Sequence, residues 1–251
     1  MSAHLEMIRE LERIADLAYP PERTTVAEGW RYRMSGDLGR RVNSVAALLE
    51  GDAPLDEQID HAEAWYRDRG RRAIFKLTEA SRPPQLDAAL AARGYVEEAA
   101  VRVMTRALSW CEAPGDVDLA ALPQPGWSTA LQRLSGKSPQ RAALLPGLVA
   151  RAEGPARYAA VRAADEIVGV ALGVIAEDHL GLFEVFVDLD RRRRGVGGRM
   201  MEALAAWASG RGASSAFLQV EEANTTGRAF YRALGFTEAY RYWYRVAPDR
   251  R

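Results

Sequence analysis

The most constraining feature of this 251-residue chain is a strand that runs into a helix through a short segment rich in arginine and glycine. The strand is the apolar run 183–187, and apolar residues take up helical spacing soon after the last glycine. Between them lie the arginines 191–194 and the glycines Gly195, Gly197 and Gly198. Residues without a Cβ let a ligand approach the backbone, where the unpaired first amides of a helix attract an anion. The segment therefore predicts a phosphate-binding turn, strengthened by charge-assisted hydrogen bonds from arginine.

Two other phosphate-binding motifs do not fit this segment. A dinucleotide fingerprint needs a third glycine where this chain has Met200, and a P-loop needs Gly-Lys-Ser/Thr, which is absent. The arginines could also form a solvated basic run or a nucleic-acid patch. However, they are confined to one junction, and the whole chain balances 34 basic residues against 34 acidic ones. A diphosphate is the favoured ligand, and we expect no nucleic-acid partner.

The elements that follow the helix extend the pattern towards the end of the chain. They are a glycine loop at 210–212, a predicted strand over 216–220, Asn224, a helix with Phe230 and Tyr231, and a helix stop at 234–236. This order, together with Arg192-x-x-Gly195-x-Gly197, resembles the GNAT superfamily of N-acetyltransferases over roughly residues 126–246. The resemblance implies acetyl-CoA as a co-substrate.

The first half of the chain repeats part of the second half. At a constant offset of 142, Trp65, Arg69, Gly70 and Phe75 match Trp207, Arg211, Gly212 and Phe217, and at an offset of 141, Gly94 and Glu97 match Gly235 and Glu238. Helix-Gly-strand connections can look alike because glycine is favoured at helix C-termini. Agreement at six positions across two elements nevertheless favours duplication.

The duplication predicts a mixed α/β (α+β) chain of two tandem GNAT-like folds, each a twisted mixed sheet flanked by helices. We expect a degenerate first domain over residues 1–113 and an acetyltransferase domain over 114–251. Proline and glycine interrupt the pattern at 113–115. The first half also resembles two-domain bacterial members of the family at residues 29–33 and 41–44.

The counterpart of the arginine and glycine segment in the first half is residues 49–54, after a predicted strand over 41–49. This counterpart is acidic, and Pro54 has no amide N–H to offer a phosphate. Asp56 and Glu57 add negative charge at the start of the following helix, where it would repel a second anion. We therefore expect one acetyl-CoA site, in the second half.

The resemblance also implies roles for individual residues. The expected cofactor-binding residues are Phe186, Val187, Arg192, Arg193, Arg194, Gly195, Val196, Gly197, Gly198, Asn224 and Tyr231. Tyr231 is the expected general acid that protonates the departing thiolate, and a backbone amide near Val187 can stabilise the oxyanion. Asn224 is also a candidate helix cap.

The general base is harder to place. The glutamate that many family members carry on the fourth strand corresponds to Gly181 here. Glu184 and Glu221 are the candidate replacements, because a carboxylate in an apolar strand is costly unless it faces a polar cleft. A structural ion pair or an exposed position fits each glutamate equally well, and a water chain could replace both.

Composition limits the partners and the location. A single cysteine excludes an internal disulfide and fits a reducing, cytoplasmic location, and three scattered histidines predict no metal site. The N-terminal stretch is an amphipathic helix and no apolar run reaches membrane length, so no membrane partner is expected. The chain is expected to be a monomer or a homodimer, and residues 240–245 could pair across a dimer.

The favoured function is an N-acetyltransferase that acts on the primary amine of a small molecule. Trp30, Tyr32, Asn43 and Ser44 are expected to wall the acceptor cleft. A protein lysine or N-terminal amine is an alternative acceptor. A non-catalytic acetyl-CoA-binding module is a further alternative, which the missing base at Gly181 permits.

Overall fold

A computed structural model describes residues 2–110 and 112–248, so the single cysteine, Cys111, lies outside the described residues. The helices in this part of the chain are α1 (Ala3–Ala18), α2 (Leu55–Arg67), α3 (Leu86–Ala92), α4 (Trp127–Ser135), α5 (Pro139–Val149), α6 (Val196–Ser209) and α7 (Thr225–Ala233). None of these helices is long and apolar enough to cross a bilayer.

The strands form one mixed sheet in the order β1-β2-β3-β4-β11-β5-β10-β9-β8-β7-β6. Their bounds are β1 (Arg23–Ala27), β2 (Trp30–Met34), β3 (Val45–Ala47), β4 (Ile74–Thr78), β5 (Val96–Ala107), β6 (Asp118–Ala120), β7 (Ala156–Ala163), β8 (Glu166–Ala176), β9 (His179–Val187), β10 (Ser215–Glu221) and β11 (Thr237–Val246).

The two halves of the chain exchange their last strands. β5, from the first half, is antiparallel to both β10 and β11, while β11, from the second half, is antiparallel to β4. One continuous sheet therefore joins the halves. The division into domains over 1–113 and 114–251 stays a proposal.

The order of elements supports the duplication. In the first half α2, β4, α3 and β5 follow one another, and in the second half α6, β10, α7 and β11 do the same. Matched residues occupy equivalent places: Trp65 and Trp207 lie in α2 and α6, and Phe75 and Phe217 are fully buried in β4 and β10. The repeated residues thus lie in corresponding elements of the two halves.

Most predicted elements are present, with two differences. The strand predicted over 41–49 is shorter, because a 3-10 turn occupies Arg40–Val42 and only Val45–Ala47 pairs. The predicted pairing of residues 240–245 across a dimer has no free strand edge over 242–245, because β11 is paired there with both β4 and β5. Strands β7 and β8 form an antiparallel hairpin that turns at Ala164.

Helix α1 packs against both halves of the sheet, and its position fixes that of the residue after it, Tyr19. Its first buried residue, Ile8, packs with Tyr240 and Tyr242 of β11, and its last turn packs with Phe183 and Phe217 in the second half. This amphipathic pattern follows the helical period, so one stripe contacts the sheet along its length. Tyr19, immediately after α1, is thereby placed against β9.

Buried ion pairs tie α1 to the sheet. Glu12 accepts hydrogen bonds from Lys76 Nζ at 2.6 and 2.7 Å and from the Tyr240 hydroxyl at 2.7 Å. Asp16 accepts from the buried guanidinium of Arg33 at 2.6 Å. Removing either partner of such a pair leaves an uncompensated buried charge, so these contacts fix the position of α1.

Candidate active site

A cleft opens where β9 and β10 separate. The two parallel strands pair only from His179 to Leu182 on β9 and from Ser215 to Leu218 on β10, and beyond this point they diverge. The opening has a volume of about 590 Å³. Its lining includes Tyr19, Leu38, Gly39, Arg40, Arg41, Ala99, Val101, Lys137, Arg141, Leu182, Phe183, Glu184, Val185, Phe186, Leu218, Gln219, Val220, Glu221, Asn224, Tyr231, Tyr242 and Tyr244.

A β-bulge in β9 lies on one wall of this cleft. The register between β8 and β9 shifts between the pairs Leu172–Phe183 and Val170–Phe186, so β9 contains one extra residue. Glu184, inside the bulge, has a φ of 48°. Because of the bulge, consecutive residues of β9 face the cleft instead of alternating across the sheet.

Glu184 is enclosed by positive charge. Its carboxylate accepts from Arg141 at 2.6 Å, from Lys137 Nζ at 3.2 Å and from the Tyr19 hydroxyl at 3.3 Å, and its side chain is 5% exposed. Burial alone would raise the pKa of Glu184, but Lys137 and Arg141 outweigh burial and lower it. Glu184 is therefore an ionised carboxylate whose oxygens already have partners.

Tyr231 lies on the opposite wall, on α7. Its ring packs against Phe230 and Phe236, with ring centroids 5.1 and 6.2 Å away. Burial raises the pKa of Tyr231 to about 12, so the phenol is neutral at physiological pH. Among the described residues its hydroxyl has no hydrogen-bond partner, and it borders the cleft. A neutral phenol in this position can donate a proton.

Asn224 begins the helix that carries Tyr231. Its side-chain oxygen accepts from the amide of Gly227 at 2.8 Å, which caps α7, and the residue also borders the cleft. The cap role predicted from sequence is confirmed. Asn224 thus fixes the start of the helix on which Tyr231 is held.

The arginine and glycine segment forms the turn between β9 and α6. Asp188 caps a 3-10 turn at Leu189–Arg191, and Gly195 is the N-cap of α6 with a φ of 79°. Arg192 Nε donates to the carbonyl of Val187 at 3.3 Å, while the side chains of 191–194 are exposed. The positive φ at the cap explains the glycine, since other residues adopt it at a cost.

The start of α6 presents free backbone donors. The amides of Val196, Gly197 and Gly198 are at the first three helical positions, so they have no acceptor within the helix. No side chain among residues 2–110 and 112–248 accepts from them or caps the helix. The N-terminal end of α6 is therefore available to an anion.

The three glycines of this segment differ in what an added Cβ would contact. A Cβ on Gly197 would lie 3.0 Å from the Phe230 ring, so this glycine lets α6 pack against α7. A Cβ on Gly198 would lie 3.9 Å from Leu234, which is ordinary contact. The prediction that all three glycines clear space for a ligand is thus incomplete, because Gly197 serves helix packing.

Gly181 cannot be the site of the usual glutamate. A Cβ there would lie 2.7 Å from the Phe183 ring and 2.9 Å from the Phe217 ring. Glu221, in contrast, is exposed at the end of β10 and borders the cleft, and its carboxylate has no hydrogen-bond or ion-pair partner in the described part of the chain. Glu221 thus has a free carboxylate, whereas Glu184 does not.

The first half contributes to the cleft through residues that differ from those predicted. Trp30 and Tyr32 are fully buried in the first-half core. Asn43 accepts from the amide of Ser35, and Ser44 accepts from Arg33. None of these four borders the cleft, so the predicted wall was wrong. The first-half residues that do border it are Tyr19, 38–41, Ala99 and Val101.

The cleft therefore brings together only part of the predicted site. Glu184, Phe186, Glu221, Asn224 and Tyr231 line it, while Val187 and the turn from Arg192 to Gly198 lie beyond its lining, at the end of β9. The cleft also includes four charged or aromatic residues that the sequence did not predict, Tyr19, Arg41, Lys137 and Arg141. No spacing signal marks them, since they come from segments far from β9 and β10 in the chain.

Comparison with known protein sequences agrees with this geometry. Residues 6–245 match the family described as "Probable histone acetyltransferase Rv0428c C-terminal". The chain is also 26% identical over 260 residues to the uncharacterised N-acetyltransferase YobR of Bacillus subtilis, covering 96% of this chain and 99% of that protein. The similarity thus extends over both halves.

Solved structures show the same fold. A GCN5-related N-acetyltransferase from Kribbella flavida superposes with a TM-score of 0.69 at 17% identity, covering 99% of this chain and 96% of that one. A tandem GNAT protein from the clavulanic acid biosynthesis pathway has a TM-score of 0.66 at 14% identity, covering 96% and 89%. The chain therefore belongs to the family described as probable histone acetyltransferase Rv0428c C-terminal, and it is a GNAT-type N-acetyltransferase with the tandem, mixed α/β fold.

Proposed function

We propose that this acetyltransferase transfers the acetyl group of acetyl-CoA to the primary amine of a small molecule. The observation that carries the proposal is the cleft between β9 and β10, which adjoins a helix start with free amides. A cleft between diverging strands gives a thioester and an amine access to the same point. The single cysteine supports a cytoplasmic location.

The residues at the start of α6 fit the diphosphate of acetyl-CoA. The amides of residues 196–198 would donate to phosphate oxygens, and the exposed arginines 192–194 would add charge-assisted hydrogen bonds. At Phe186 and Val187, β9 pairs with β8 along one edge, and its other edge is not paired with β10. Its backbone could therefore pair with the pantetheine amides. When bound, acetyl-CoA would supply the activated acyl group.

Tyr231 is the proposed general acid. Its neutral phenol would give its proton to the departing thiolate, and its raised pKa keeps that proton in place until the thiolate forms. The packing of its ring against Phe230 and Phe236 limits its motion. A backbone amide of β9 near Val187 would stabilise negative charge on the carbonyl oxygen.

Glu221 is the proposed base, directly or through water. Its free carboxylate borders the cleft, and Gln219 lies two residues earlier on the same strand face. Glu184 has its oxygens bound to Arg141, Lys137 and Tyr19, so we assign it the positioning of those side chains. This division of roles refines the prediction that named both glutamates as base candidates.

A small acceptor suits the walls of the cleft better than a protein segment. Tyr19, residues 38–41 and α5 all approach β9 on the acceptor side, and they narrow the space that an extended peptide would need. The volume of about 590 Å³ lies within the usual range for small-molecule sites. A protein lysine or N-terminal amine is the alternative acceptor.

The test is thiol release from acetyl-CoA with a panel of small primary amines, in the wild type and in Tyr231→Phe. We expect at least one amine to stimulate release, and Tyr231→Phe to lower kcat about 10²-fold or more while acetyl-CoA binding is unchanged. Equal kcat values in the two proteins would remove Tyr231 from the reaction. Binding of acetyl-CoA without transfer to any small amine or peptide would instead favour the non-catalytic binding module.

A further inference from the structure

One arginine in the acceptor part of the cleft has no anionic partner. Arg41, in the 3-10 turn before β3, borders the cleft with its guanidinium carbon 5.5 Å from the ring centroids of both Tyr19 and Phe183. Those two rings lie 4.8 Å apart, so the guanidinium rests against a pair of aromatic faces. Such contacts hold an arginine in place without neutralising it.

The neighbouring cations already have carboxylate partners. Arg40 forms an ion pair with Glu98, and Lys137 and Arg141 share Glu184. For Arg41, the described residues provide neither a carboxylate within ion-pair distance nor a hydrogen-bond acceptor. This wall of the cleft thus carries more positive than negative charge, and Arg41 is its unpaired member.

An unpaired, half-buried guanidinium is costly unless something else accepts its N–H groups. Its planar donor fork matches a carboxylate or a phosphate in two parallel hydrogen bonds. One carboxylate matches this single unpaired cation in charge, whereas the second charge of a phosphate dianion would find the neighbouring cations already paired. The observation thus points to an anionic group on the second substrate.

We propose that the acceptor is a small amine that carries a carboxylate, as an amino acid does, and that Arg41 binds this carboxylate. The proposal rests on the proposed function. In the transfer, the amine nitrogen bonds to the acetyl carbon while the carbon–sulfur bond breaks. The amine loses one proton to Glu221 or its water, and the thiolate gains one from Tyr231. The products are the N-acetylated acid and CoA.

Thiol release with the twenty common amino acids, each paired with its C-terminal amide, tests the proposal. The amide keeps the amine and removes the carboxylate, and phosphoethanolamine supplies a phosphate in its place. We expect at least one amino acid to exceed its amide at least tenfold in kcat/KM. Arg41→Gln should abolish that preference, mainly by raising KM for the acid. Arg41→Lys should restore part of the preference, which also covers the case in which the glutamine variant does not fold.

Arg157→Gln is the matched control. Arg157 also rests on an aromatic ring, 5.3 Å from Trp207, with no carboxylate partner in the described part of the chain, but it does not border the cleft. Its substitution should leave the acid-to-amide ratio unchanged. Equal rates with acids and amides, a preference for phosphoethanolamine, or no acetylated amino acid while acetyl-CoA still raises Tm would each overturn this proposal. Failure of acetyl-CoA to raise Tm would instead overturn the proposed function.

Discussion

The two halves contain the same kind of strand-to-helix junction, but in opposite states. In the first junction, between β3 and α2, the Glu28 carboxylate accepts from the amides of Asp52 and Ala53 at 3.1 and 3.2 Å. In the second, between β9 and α6, no side chain of the described residues accepts from the amides of 192–195 before the helix. Neither α2 nor α6 has a side-chain cap. The loop before α2 thus binds a carboxylate of its own chain, and the loop before α6 does not.

The helices that follow the junctions differ in the same sense. Helix α2 starts after Pro54, with Asp56 and Glu57 in its first turn, while α6 starts after Gly195 with no acidic residue there. Acidic groups at a helix N-terminus satisfy its dipole and repel a further anion. Under the proposed assignment of the acetyl-CoA site, the difference teaches that a few residues at the junction decide whether a copy of the fold binds phosphate, while its strand and helix are kept.

The largest expected effect is on the free energy of unfolding. It follows when alanine replaces one glycine in each junction. A Cβ on Gly51 would lie 2.4 Å from the carbonyl oxygen of Glu28, whereas a Cβ on Gly198 has 3.9 Å of clearance. Gly51→Ala should lower the free energy of unfolding by about 2–3 kcal/mol because the backbone must move. Gly198→Ala should be neutral or stabilise by up to about 1 kcal/mol, since alanine is the better helix former. Denaturant unfolding measures both, and equal losses would show that the junctions are packed alike.

The second-largest expected effect is on the stability that the protein gains when acetyl-CoA binds. Acetyl-CoA at 100 times its Kd should stabilise the wild type by about 2.7 kcal/mol. Gly198→Glu should remove this gain, because its carboxylate would occupy the start of α6, the proposed site of the diphosphate. Thermal unfolding with and without acetyl-CoA measures the difference. Gly198→Ala is the control that adds bulk without charge, and it should keep most of the gain.

A smaller effect is expected when the first junction is opened. Glu28→Gln would weaken two exposed hydrogen bonds to backbone amides and should cost about 0.5–1 kcal/mol of stability. It should not create an acetyl-CoA site, because Pro54 lacks an N–H and two acidic residues remain at the helix start. The gain of a second binding event in Glu28→Gln would show that Glu28 alone closes the junction.

The smallest expected effect is on the loss of unfolding free energy as the pH becomes acidic. Glu184, beside the second junction, has a lowered pKa in the folded protein. Its contribution is therefore fully present above the unfolded value of about 4.3 and is lost as pH falls towards the folded pKa. Glu184→Gln should flatten the pH dependence of unfolding between pH 5 and the acid transition, as measured by denaturant titrations at several pH values. An unchanged pH dependence in Glu184→Gln would show that solvent screens the ion pairs of Glu184.

The sequence could predict those parts of the site that are local in the chain. The turn from Arg192 to Gly198, the cap at Asn224 and the helix with Tyr231 each lie within one stretch, where glycine, capping residues and apolar spacing are direct signals. The family, the mixed α/β fold and the acetyltransferase class were predicted for the same reason, and all three are confirmed.

The parts that could not be predicted depend on long-range pairing. The exchange of β5 and β11 is decided by which strand edges meet, and no local pattern encodes that choice. The same holds for Tyr19, Arg41 and Lys137, which reach the cleft from three separate segments. Trp30 and Tyr32 were misplaced because an aromatic residue fits both a ligand wall and a core, and only packing distinguishes the two.

Calorimetric titration with acetyl-CoA tests the central claim most directly, because it counts binding sites per chain. The wild type and Glu28→Gln should each bind one molecule, and Gly198→Glu should bind none while its thermal unfolding remains cooperative. Two sites in the wild type, or undiminished binding in Gly198→Glu, would contradict the assignment of the open junction as the acetyl-CoA site.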